Sequence, residues 1–422
     1  MATDVDVQYF SHLNGLTLGN NWGDLIRLLD KALVTGIDFT QITDASIDAQ
    51  GDVHITLYAA HNAMLLQVVE LTGFAPASFN QKYRIKGVPN TTQLILKPHA
   101  AITETNITTV GAGKLASLGY EIIFRDLGDV KRVYRAKNPT AQHPFIRVDE
   151  SLTSPDGTTG VYTSTYAKSA MVGLLEHMDH IDDFENPDVL QLPFDPVDPG
   201  KNWRISGTGS NVVRGWSKWH YAAGSPESGS VANGSRNFLI IGDHNVFYNL
   251  ISYAPANPSY QALNGTGLFN SVTSEDSIIP DWFIMTFLSD KAASANTLTF
   301  LRRDQLGGTP LTYNANGASF FIPSYSPAQR IKAHAVANPI LSSFSTGANA
   351  VASASLFPAL EIPINSNESI LRGSLKHVLQ ILKTETVLVA TPYLLGEHAY
   401  MVAPIGIGLS FGSIAFYLGE IA

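Results

Sequence analysis

"RNFLIIGDHNVFYNLISYA", residues 236–254, is the stretch on which the fold turns. Two short apolar runs, "NFLII" and "VFYNLIS", flank a Gly-Asp-His-Asn tetrapeptide. Runs of this length, rich in β-branched and aromatic side chains, read as strands when turn residues bound them. Gly242, Asp243, His244 and Asn245 tolerate the backbone of a tight turn. The stretch therefore predicts an antiparallel hairpin, and the turn accounts for the Asp-His pair without chemistry.

The same punctuation extends in both directions. "DVHITLYA", "MLLQVVEL", "KYRIKGV" and "TQLILKP" lie at roughly ten-residue spacing, with turns at "AQGD", "FAPASFNQ" and "VPNTT". They predict a small antiparallel β-barrel-like module over 37–110. Further strands are expected at "VYRAK", "FIRVDES", "GVYTSTYAK", "KNWRIS" and "DWFIMTFL". Loops such as "GSPESGSVANGS" (224–235) separate them. "MVAPIGIGLSFGSIAFYLGEIA" at the end reads as two buried strands. Two segments carry helical spacing instead. In "NNWGDLIRLLDKALVTG" (20–36) the apolar stripe is Trp22, Leu25, Ile26, Leu29, Ala32 and Leu33, with Gly36 as a stop. In "NESILRGSLKHVLQIL" (367–382) it is Ile370, Leu371, Leu375, Val378 and Leu379. The expected architecture is mainly β. It has an N-terminal amphipathic helical segment (1–36), the small module (37–110), and a larger β-sandwich-like body (111–422). The body contains one C-terminal-region helix and ends in docking strands.

Composition narrows the function classes. Hydrophobic residues make up 45% of the chain and charged residues only 15%, which suits a globular protein with extensive buried contacts. The net charge of −9, without a Lys/Arg block, argues against a nucleic-acid partner. There is no cysteine, which excludes disulfides, thiolate metal sites and Cys nucleophiles. The first residues, "MATDVDVQYF", lack a signal peptide's basic region. No apolar run reaches about 18 residues, so no membrane span is expected. P-loop, G-x-S-x-G and helix-opening G-x-G-x-x-G motifs are missing, and no cofactor is expected.

Several stretches, in order, resemble a family of tailed-bacteriophage virion structural proteins. "LIRLLDKALVTGI" resembles the family's opening helix. "VVELTGFAPASFNQKYRIKGVPNTTQLIL" resembles a small β-module of phage structural proteins. "LGYEIIFRDLGDVKRVYRAKNP" and "HPFIRVDES" resemble its aromatic strand and its Leu-Arg-Val-Asp strand. "FLIIGDHNVFYNLIS" resembles a Gly-Asp-x-x-x-Phe-Tyr strand, and "ILRGSLKHVLQIL" an Arg-Gly-x-Leu segment. "LFNSVTSED" departs from the family's Phe-Gly-Asp at Asn270 and Ser271. The resemblance covers most of the chain. It implies a virion component, assembled in the host cytoplasm, that acts through protein–protein contacts. Other virion proteins and further copies of itself would be its partners. A tail, baseplate or neck position comes first and capsid decoration second.

Three stretches hold candidate sites. "LLEHMDHIDDFENP" (174–187) places His177, Asp179 and His180 close together. On a helix, residues three apart share a face and could chelate a metal. On an extended chain they point apart, and solvated acidic surface is the simpler reading. The resemblance places these histidines at variable positions. "WSKWHY" (216–221) offers Trp216, Trp219 and Tyr221 either as a strand in the core or a subunit contact, or as an aromatic platform for a host-surface glycan. Trp22, Leu25 and Leu29 could dock the N-terminal helix on a neighbour. In "FIRVDES", Arg147 reads as the outward face of a strand, and Asp149 and Glu150 as adjacent residues that diverge. Two function classes follow: a non-enzymatic assembly protein, or a carbohydrate- or receptor-binding β protein on the virion surface.

Overall fold

The computed structural model describes residues 5–140, 142–154, 157, 168–208, 212–223, 230–252, 254–255, 261–272, 279–288, 319–324, 334–339, 355–366, 369–381, 389–407 and 410–421. The strand expected over 160–168, apart from Lys168, and the first half of the loop over 224–235 fall outside them.

The hairpin forms where the sequence places it. Phe238–Gly242 pairs antiparallel with Val246–Ser252. Asp243 closes the turn. Its Oδ1 accepts the amides of Asn245 (2.7 Å) and Val246 (3.0 Å), and its own N–H donates to the Val246 carbonyl at 2.9 Å. Gly242 is required: at φ 156°, a Cβ would lie 2.0 Å from the Val246 oxygen. Every residue of both strands is buried, because this sheet is covered on both faces. Phe247, Trp282 and Ile284 enter one apolar cluster, and Tyr248, Phe283 and Met285 enter another. That alternation is the period of two that a strand imposes.

The hairpin belongs to a thirteen-stranded sheet, in which the short strand Asn270–Ser271 pairs with Leu371–Ile381 beside the main order. Its order runs Gln8–Ser11, Phe238–Gly242, Val246–Ser252, Gln261–Leu268, Trp282–Leu288, Ser319–Pro323, His334–Pro339, Ala359–Ser366, Leu371–Ile381, Ser410–Glu420, His398–Ile407, Thr391–Leu395. A seven-stranded antiparallel sheet spans Ile37–Asp38 to Ala112–Leu115, and a six-stranded sheet is built from strands between Tyr120–Arg125 and Lys218–Ala222. One apolar core joins all three: Ile55 and Leu71, Val148 and Val172, Phe247 and Trp282 lie in a single cluster. Burying each such side chain contributes roughly 1.5–3 kcal/mol. Gln8 stitches the first strand to the seven-stranded sheet. Its amide donates to the carbonyls of Val68 (2.7 Å) and Ala116 (2.8 Å) and accepts from the Val68 N–H (2.9 Å).

The N-terminal helical segment is shorter than its periodicity implies. Gly23, at φ 86°, precedes an α-helix over Asp24–Leu29, which continues as a π-helical turn over Asp30–Thr35. The Gly36 amide closes that turn on the Lys31 carbonyl at 2.8 Å. Glu150 completes the helix start, its two oxygens accepting the amides of Gly23 and Ile26, each at 2.7 Å. Such bonds satisfy donors that a helix N-terminus leaves open.

Two expectations are corrected. The helix expected over 367–382 is instead a strand, Leu371–Ile381, held between Ala359–Ser366 and Ser410–Glu420. Its helix-like spacing comes from a bulge. Ser374 faces Pro363 while Leu379 faces Glu361, so extra residues bring Leu375 and Val378, three apart, into the same buried cluster. Arg147 does not face outward: it is 1% exposed. It pairs with Asp149 (3.0 Å) and Asp182 (2.6 Å). Its guanidinium lies 4.3 Å from the Trp203 ring centroid and 4.9 Å from that of Phe184. A delocalised cation can be buried when it is paired and stacked in this way.

Candidate functional site

The expected site residues scatter. Leu25 and Leu29 are fully buried in the chain's own core, so neither is available to a neighbour. Trp22 is half-buried, with the Arg214 guanidinium 4.5 Å and the Lys168 amine 5.2 Å from its ring centroid. Burial first, then the charges of Arg214 and Arg236, lower the Lys168 amine to about 8.

Trp219 and Tyr221 are also core residues, 0% exposed, and Trp216 is 8% exposed. They lie in or beside the strand Lys218–Ala222, which is buried at every position. Trp219 meets Phe247 edge-on at 5.8 Å. The Tyr221 hydroxyl bonds Glu150 at 2.6 Å. The platform reading of these rings is therefore withdrawn; both faces of the strand are covered.

"LLEHMDHIDDFENP" follows the strand Lys168–Leu175 and leaves it as turns. His177 bonds Asp179 at 2.9 Å on the exposed surface. Met178 is buried and Ile181 packs beside it. Asp182 turns inward to Lys131 (2.9 Å) and Arg147 (2.6 Å). Among the described residues, no group of three His, Cys, Asp or Glu side chains gathers as metal ligands would.

The concave feature that does gather functional groups lies elsewhere. A cleft of about 660 Å³ opens beside the hairpin turn, lined by Asp243, His244, Glu361, Lys376, His377, His398, Tyr400, Tyr417 and Glu420 among others. At its inner end His377 Nε2 lies 3.0 Å from Asp243 Oδ2. Burial pushes the Asp243 carboxyl up, but the His377 hydrogen bond and charge and the Asn245 amide outweigh it and bring it down to about 2. An ionised carboxylate can only accept, so Nε2 carries the proton of this bond. His377 adopts φ 62°, a left-handed conformation that costs a non-glycine residue on the order of 1–3 kcal/mol. The bulge that displaced the expected helix is what places this imidazole here. Lys376 is lowered by burial, against the charges of Asp243 and Asp281.

Tyr400 and Tyr417 give the cleft an aromatic floor, and Tyr393 continues their row outside it. Tyr393, Tyr400 and Tyr417 are direct register partners on the three last strands of the sheet. The Tyr400 and Tyr417 rings lie 5.4 Å apart, and His398 sits 5.9 Å from Tyr417. Phe357 stacks on Tyr393 (5.3 Å) and against Tyr400 (4.6 Å), bracing the outer end of the row. Sequence reasoning missed all of these residues. The three tyrosines are not neighbours in the chain, and only strand register brings them into line.

The sheet's two ends differ. The Gln8–Ser11 end is buried at all four positions. At the other end, Thr391–Leu395 is exposed, and among the described residues no strand pairs with its outer edge. Pro392 and Leu394 pair with Met401 and Ala399, both fully buried. Cross-strand partners share a face, so the core's apolar layer runs out to solvent there, with Leu394 54% exposed.

No protein-family model matches the chain, and no curated protein matches it. Among solved structures the chain is similar to "Phage phi92 endosialidase" at 8% identity and a TM-score of 0.14, over 92% of this chain and 51% of that one. The chain spans about half the length of that protein. A TM-score that low marks no shared fold, and the chemistry of the cleft is read from its own residues. Among the described residues, no helix is long and apolar enough to cross a membrane.

Proposed function

We propose that the protein is a structural component of a tailed-phage particle and works by assembly. A second copy of the chain covers the Thr391–Leu395 edge in the assembled state. The observation that carries this reading is the asymmetry of the large sheet. One end is stitched into the molecule by Gln8, while at the other the buried layer of Ala399, Met401 and Phe416 continues onto exposed Leu394. An interface that completes a core in this way resembles an obligate subunit contact. Pro392 lacks an N–H and weakens strand addition at this edge, so the contact is made by apolar side chains. The ordered resemblance to virion structural proteins supports the same reading and favours a tail, baseplate or neck position. Repeated copies in a particle follow closed symmetry.

The edge is tested by light scattering on the purified chain. The expected result is a homo-oligomer at micromolar concentration that Leu394→Lys converts to monomer, with the thermal midpoint of the monomer fold retained. A wild-type chain that stays monomeric throughout the micromolar range removes the edge as the contact.

A further inference from the structure

The tyrosine row and the cleft above it are not used by the assembly edge. Tyr393 and Leu394 are adjacent in a strand, so they point to opposite faces. The row faces the cleft, and the apolar layer faces the core side. The cleft therefore remains available when a neighbour covers Leu394.

Its chemistry is specific in two respects. First, the floor carries two phenol rings. Tyr400 and Tyr417, partners on adjacent strands, line it with ring centroids 5.4 Å apart, a surface on which the rings of a short oligosaccharide can rest. Aromatic rings receive the C–H faces of pyranose rings, and their hydroxyls add polar contacts at the edge. Second, the walls carry carboxylates: Asp243, Glu361 and Glu420 line the cleft with Asp6, against one lysine, Lys376. Glu361 is exposed and Glu420 lies 3.8 Å from His398. Carboxylates accept hydrogen bonds from sugar hydroxyls, and their field repels anionic ligands. Asn245 and Asn270 add groups that both donate and accept.

We propose that this cleft is a binding site for a neutral oligosaccharide, whose sugar rings lie on Tyr400 and Tyr417 and whose hydroxyls donate to Glu361 and Glu420. Phe357 pre-positions the row, which lowers the ordering cost on binding. Asp243 holds the His377 ring in place at the inner end. The observed acidity makes the site selective against sialylated and other polyanionic glycans.

The test is calorimetry of the full chain with a panel of neutral linear oligosaccharides (glucose, galactose and N-acetylglucosamine polymers) and with oligosialic acid. The expected result is binding of at least one neutral member and none of oligosialic acid. Tyr417→Ala weakens that binding about tenfold or more, Tyr417→Phe retains most of it, and Glu361→Gln, on the exposed rim, weakens it without changing the thermal midpoint. If the Tyr417→Ala chain does not fold, the Tyr417→Phe and Glu361→Gln pair decides the matter. The proposal is overturned if no neutral glycan binds, if oligosialic acid binds as well as the neutral ligands, or if a proline-rich peptide occupies the cleft in their place. Leu394→Lys leaves glycan binding intact, so failure of the edge and failure of the cleft are distinguishable.

Discussion

Glu150 offers the sharpest quantitative prediction. It is 0% exposed, and it receives the amides of Gly23 and Ile26 and the Tyr221 hydroxyl. Burial raises its carboxyl from 4.5 to about 7, and those three hydrogen bonds only partly offset that rise. A group whose folded pKa is raised stabilises the fold fully below its unfolded value. That contribution is lost as pH rises through the folded value. The window here is pH 4.5 to about 7, and the change corresponds to about 3 kcal/mol. Glu150→Gln removes the titration but leaves one acceptor oxygen for three donors. At pH 5 the variant is therefore several kcal/mol less stable than wild type. By pH 8 the difference narrows by about 3 kcal/mol, because the wild type then carries a buried charge. The assay is chemical denaturation of both chains across pH 4.5–8, reading the difference between them. Taking the difference cancels the buried His143 and the half-buried His12, which desolvation lowers and whose contributions rise with pH in the same window. A difference that stays constant across the window refutes the reasoning. So does a Glu150 carboxyl carbon resonance that titrates near 4.5.

Two further expectations concern buried ion pairs. Arg147→Ala strands the buried Asp149, leaves Asp182 to Lys131 alone and empties the space beside Phe184 and Trp203, costing about 3–5 kcal/mol in denaturation; Arg147→Lys recovers little, because an ammonium cannot stack and fork as the guanidinium does. Asp243→Asn replaces the charged acceptor of His377 with a neutral amide and lowers the thermal midpoint at neutral pH. The wild-type advantage, held above the ordinary carboxylate value of 3.8, is lost as pH falls towards about 2.

The hairpin at 236–254 was legible because its information is local: two apolar runs and four turn residues fix pairing and register together. The reading of 367–382 failed for a related reason. A bulge in a strand and a turn of helix both place apolar residues three apart, and only pairing with strands on either side separates them. Arg147 misled because a guanidinium between Ile146 and Val148 looks the same outside as inside; its partner Asp182 is distant in sequence. The alternation in "WSKWHY" is the same for a core strand and for an exposed platform, and only the sheets packed around it bury Trp219 and Tyr221. Leu25 and Leu29 were rightly read as apolar helix positions, but periodicity cannot say whether the chain itself or a neighbour covers them. The cleft was illegible throughout. Asp243 and His377 meet across the sheet from distant segments, and the tyrosine row exists only in the register of three strands.

A cryo-EM map of the purified phage particle tests whether another copy closes the open sheet edge. The expected result is density for this β-rich fold in multiple symmetric copies, with a neighbouring copy packed on Pro392 and Leu394. Absence of the protein from purified particles, or a copy whose Thr391–Leu395 edge faces bare solvent, would contradict it.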